Sequence, residues 1–77
     1  MKQVDLLRDE IGKVAEVTKQ HKTVSENVKI STIYLSKIRS GECCKIDTED
    51  NIKLMREILN AYRKLGNIQL KNLENVL

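Results

Sequence analysis

Few side chains in this sequence could do chemistry, and their spacing rules out most of it. His21 is the single histidine, Cys43 and Cys44 are the only thiols, and Glu49–Asp50 is an adjacent acidic pair. Nucleophilic catalysis needs a nucleophile with a base at a recognisable spacing, and none is present. A glycine-rich phosphate loop is also missing. Glu49 and Asp50 are explained as charge at a helix start, where the helix dipole favours anions. A structural zinc site takes four ligands, and His21 lies far from the thiols in sequence. No catalytic residue, metal site or cofactor is expected. His21 reads as a surface or cap residue near a helix end, and the cysteines as a loop lining with one thiol buried.

Binding chemistry is better represented. The formal net charge is +3, and its distribution says more than its size. Residues 1–20 hold four basic and four acidic side chains, and residues 46–77 hold five of each. The whole excess lies in 21–45, where Lys22, Lys29, Lys37, Arg39 and Lys45 face only Glu26 and Glu42. A basic segment in an otherwise balanced chain is the footprint of a polyanionic partner. An ordinary solvated surface would carry the same charges, so a second signal is needed.

Composition narrows the partner. Without Phe or Trp, and with Tyr34 and Tyr62 as the only aromatic residues, the chain lacks a stacking platform for single strands. No apolar run approaches the roughly 20 residues of a membrane span. Met1–Gly12 has no uninterrupted apolar core behind a basic start, so no signal peptide is expected. Adjacent cysteines cannot staple distant parts of a fold, and a reducing cytoplasm fits them best.

These residues must be positioned by helices. Ile52, Met55, Ile58, Leu59, Tyr62 and Leu65 form one apolar stripe, predicting a helix over Asp47–Leu65. Asp47 or Thr48 would cap it, and Gly66 would end it in the left-handed conformation. Val4, Leu7, Ile11, Val14, Ala15 and Thr18 predict a second helix over Gln3–Gln20. Gly12 within it costs about 1 kcal/mol, or serves a close approach. Two short helices are expected between them, near Thr23–Val28 and Ser31–Arg39, the latter capped by Ser31 and stopped by Ser40–Gly41. The tail, Asn67–Leu77, alternates like a strand at Ile68 and Leu70. Leu70, Leu73 and Leu77 are spaced as in a helix, which is the preferred reading.

The stretch His21–Gly41, HKTVSENVKISTIYLSKIRSG, resembles the helix-turn-helix of phage repressor and Cro-type (XRE-like) regulators. Val24–Ser25, Val28, Lys29 at the turn, Ile30–Ser31, and Leu35 and Ile38 stand where that family has its characteristic residues. LSKIRSG at Leu35–Gly41 is the most family-like string. The resemblance covers Gln3–Leu65 in helix order and about twenty residues in detail. It implies an all-α, lambda-repressor-like domain over residues 1–66, followed by a segment at 67–77 that could serve dimerisation. Ser31–Ser40 would be the recognition helix. Two positions depart from the pattern. Lys29 stands where Gly is common, so it must take a left-handed backbone or the turn differs. His21 and Lys22 stand where a phosphate-bonding Gln is usual.

Turning Leu35 and Ile38 inward at 100° per residue turns Ile33, Ser36, Lys37 and Ser40 outward. Ser36 and Lys37 could bond base edges or phosphate, and Ile33 could touch a thymine methyl. Lys22, Ser31, Thr32 and Arg39 complete the expected DNA-contacting set. A rival register buries Ile33 on a continuous face of Ile30, Ile33, Tyr34, Lys37 and Ile38, and would be plain core packing.

The function the resemblance implies is sequence-specific binding of double-stranded DNA by a phage-type or mobile-element repressor that occludes a promoter. It implies a homodimer, with Leu70, Leu73, Val76 and Leu77 as spare apolar surface, and neither a membrane nor a small-molecule substrate as partner. The alternative is a protein-interaction module on the same scaffold that binds a regulator or polymerase without touching DNA. A small helical enzyme is the least supported reading.

Overall fold

The computed structural model describes residues 2–76, with side chains described for 2–66. Four helices follow one another: α1 (Gln3–Thr18), α2 (His21–Val28), α3 (Thr32–Ser40) and α4 (Glu49–Val76). Among the described residues there is no strand, and the fold is all-α. No helix of the described residues is long and apolar enough to cross a membrane.

α1 forms because its apolar residues recur on one face, and Val4, Ile11, Ala15 and Thr18 are buried there. α4 lies along α1 and also contacts α2, burying Met55, Ile58, Leu59 and Tyr62 between them. α3 rests on α2 and α1 through Leu35 and Ile38, which join the same cluster. Tyr62 is the one aromatic ring in an otherwise aliphatic core. Gly12 serves no close approach, since a Cβ built there meets nothing within 4 Å.

The short helices are set by their ends. α2 begins two residues before the expected Thr23, at His21. It ends at Lys29, which adopts φ 65°, ψ 43° and donates its N–H back to the last turn. The turn departs from the glycine pattern in residue type and keeps the left-handed backbone. Ser31 caps α3 by accepting the N–H of Tyr34 at 3.0 Å. Gly41, at φ 93°, closes it, with the Glu42 N–H bonded to the Lys37 carbonyl at 2.9 Å.

α4 settles one expectation and corrects another. Thr48 alone caps it, accepting the N–H of Asn51 at 3.2 Å, while Asp47 is used elsewhere. Gly66 does not end it, and the helix runs on through the tail to Val76. A helical glycine costs only about 1 kcal/mol against Ala, too little to stop a helix that its flanking residues favour. Gly66 passes the end of α1, where a Cβ would lie 3.4 Å from Cγ2 of Thr18. The proposed dimer surface, Leu70, Leu73, Val76 and Leu77, lies outside the residues whose side chains are described.

Candidate nucleic-acid interface

α2 and α3 pack against each other across a turn of three residues, Lys29, Ile30 and Ser31. This is the connectivity of a helix-turn-helix. Leu35 is 1% exposed and Ile38 fully buried, so the inner face of α3 is spent on the core. The outer face is free: Thr32, Ile33, Ser36, Lys37 and Ser40 are all exposed. Ile33 is 69% exposed, which excludes the register that buries it.

Around that face the expected residues divide. Lys22, in the first turn of α2, is exposed, as are Lys29 in the turn and Lys45 in the following loop. Ser31 is exposed but already accepts the cap bond of α3, leaving its hydroxyl proton and one lone pair to offer a partner. The Ser40 hydroxyl donates to the Lys37 carbonyl at 3.1 Å.

Arg39 is the exception. It is half-buried, with its Nη1 3.3 Å from Nδ1 of His21 and its buried Nε without a partner. Its guanidinium thus ties α3 to the start of α2. The Tyr62 hydroxyl lies within hydrogen-bond distance of the same His21 nitrogen, at 2.7 Å, so one ring links α2, α3 and α4. Burial, and then the Arg39 charge, hold His21 below the ordinary imidazole range. Burial pushes the Tyr62 hydroxyl up, and Arg39 offsets part of that. His21 stands at a helix end, as expected, but it is half-buried and bonded rather than a free surface residue.

Two further positioning residues were not expected from the sequence. Arg8 on α1 reaches the end of α3. Its Nε donates to the Ile38 carbonyl at 2.9 Å, and its Nη2 to the carbonyls of Cys43 (3.2 Å) and Cys44 (3.0 Å). Its Nη1 donates to Asp5 at 2.9 Å, which holds the fork in place. A cation at a helix C-terminus is favoured by the dipole as well as by these bonds. Asp47 caps α1 from the loop before α4, accepting the N–H groups of Gln3 (2.9 Å) and Val4 (3.0 Å). In the sequence Arg8 is one charge among several on a helix, and only Asp47 carried a signal, that of a cap.

Among the described residues no cluster of three or more His, Cys, Asp or Glu could hold a metal ion. Comparison with family models, curated proteins and solved structures gave no match.

Proposed function

We propose that this chain binds double-stranded DNA sequence-specifically, laying α3 in the major groove. The observation that carries the reading is the division of α3. Leu35 and Ile38 lock it to the core, while Thr32, Ile33, Ser36, Lys37 and Ser40 stand free on the outside. The major groove is wide enough to admit a helix. Phosphates would be met by Lys22 and Lys29 on the flank and by Lys37, all exposed within the segment that carries the net positive charge. Ser36, Lys37 and Ile33 would read base edges and a thymine methyl. Arg39, turned to His21, acts chiefly by fixing α3 and by its charge. The resemblance of His21–Gly41 to phage repressor and Cro-type regulators points the same way and adds promoter occlusion as the mode of action.

One such module buries about 600–1,000 Å² on DNA, so two copies on related half-sites reach useful affinity where one does not. The leucines of the C-terminal segment are the surface we assign to that pairing. A second reading, docking of α3 in a protein groove, is favoured by the 69% exposure of Ile33. Binding of the chain to a randomised duplex library, measured against salt, separates the two. Steep salt dependence with selection of particular sequences supports DNA reading, and weak salt dependence supports the protein groove.

A further inference from the structure

Two adjacent free thiols occupy the loop after α3, and DNA contact uses neither. Cys43 is partly exposed, and Cys44 is 8% exposed with φ 55°. The peptide between them is trans. Both carbonyls are held by Arg8 Nη2, and the Cys43 N–H donates to the Lys37 carbonyl at 3.3 Å. The same arginine holds the last turn of α3 through Ile38.

We propose that Cys43 and Cys44 are a reversible oxidation site, at which a peroxide closes a disulfide and loosens the Arg8 clasp on α3. Cα atoms across a trans peptide lie about 3.8 Å apart, whereas a disulfide ordinarily spans about 4.4–6.8 Å between Cα atoms. The Cα atoms of adjacent residues cannot separate to that range, so the closed ring is strained and loads the peptide that joins the two cysteines. That peptide carries the Cys43 carbonyl, so the strain falls on a bond that Arg8 makes. Strained disulfides of this kind are readily reduced, which suits a reversible site.

The reaction balances. Cys43, the more accessible sulfur, loses its proton and attacks the peroxide, forming a sulfenic acid and releasing one water. Cys44 then displaces the sulfenic hydroxyl, which leaves as a second water with the Cys44 proton. Two thiols give up two electrons, and one peroxide is reduced to two waters. Burial pushes the Cys44 thiol up, which fits it to resolve rather than to attack.

The test treats the full chain with hydrogen peroxide, then reads intact mass without reductant and amide exchange over residues 37–44. The expected product has lost two hydrogen atoms, is restored by dithiothreitol, and is absent from Cys43→Ser and Cys44→Ser. Exchange at the end of α3 should speed by about tenfold, equivalent to about 1.4 kcal/mol. Arg8→Lys, which cannot fork to three carbonyls, should speed the same amides without peroxide. Addition of oxygen without a disulfide, a disulfide between two chains, or a closed disulfide with unchanged exchange would each overturn the proposal. A loss of duplex affinity on oxidation is expected as well, and that arm alone rests on the DNA reading. If the reduced chain binds no duplex while the exchange result holds, DNA reading fails and the oxidation site stands.

Discussion

The Asp47 carboxylate accepts the backbone N–H of Val4 at 3.0 Å, joining the loop before α4 to the first turn of α1 across 43 residues. With the Gln3 bond beside it, the contact satisfies two N–H groups that a helix start leaves free. The two backbone bonds, Val4 first, hold the Asp47 carboxyl below its ordinary value of 3.8. A depressed carboxyl stabilises the fold above its unfolded pKa, and that stability is lost as pH falls through the folded value. Urea midpoints taken from about pH 5 down to about pH 3 should fall more steeply for the native chain than for Asp47→Asn. Equal slopes would mean that this cap contributes nothing.

His21 gives the second pH dependence. Its folded pKa lies below 6.5 because burial, and then Arg39, disfavour the charged ring. The unfolded chain therefore takes up a proton first as pH falls, so stability present above 6.5 declines below it. His21→Gln keeps an acceptor for Tyr62 without titrating. Comparing thermal midpoints on either side of that range should show a fall in the native chain and a smaller one in the variant.

Backbone conformation makes a prediction in the opposite direction. Lys29 holds φ 65° without being glycine, a geometry that costs a side-chain-bearing residue about 1–2 kcal/mol. Lys29→Gly should relieve part of it and raise stability by about 1 kcal/mol. The same change removes one of the exposed charges proposed to meet phosphate, so duplex affinity should fall as stability rises. Gly12→Ala, in the open interior of α1, should stabilise by about 0.5–1 kcal/mol and leave DNA binding alone. Chemical denaturation with a parallel binding titration checks both.

Leu35 and Ile38 fix α3 to the core. Truncating either to Ala should cost about 2–5 kcal/mol, measured as a shift in urea midpoint. A loss below about 1 kcal/mol, typical of surface substitutions, would mean that α3 is not anchored through them.

What the sequence revealed was local. The stripes of α1 and α4, the Ser31 cap and the Gly41 stop are periodicities and end signals spanning a few residues, and each is found in the fold. The outward stripe of α3 followed from placing Leu35 and Ile38 inward, and the exposure of Ile33 and Lys37 matches it. Long-range partners were not legible. Asp47 precedes one helix and caps another, and Arg8 is an ordinary helical charge until the fold brings Ile38, Cys43 and Cys44 to it. Arg39 carried a charge signal pointing outward, but His21 and Tyr62 draw it in from other helices. Gly66 carried a stop signal that its neighbours overrode.

Whether α3 reads DNA is decided by duplex affinity against salt for the native chain, Lys22→Ala, Ile33→Ala and Lys37→Ala. On logarithmic axes the native affinity should fall with a slope of about 0.9 per phosphate contact. Lys22→Ala should weaken binding to all sequences alike and make that slope shallower by about one. Ile33→Ala and Lys37→Ala should each cost about 1–3 kcal/mol on the preferred site and less on random duplex. Should those two variants leave both affinity and site preference unchanged, α3 does not read DNA, and its exposed face belongs to a protein partner.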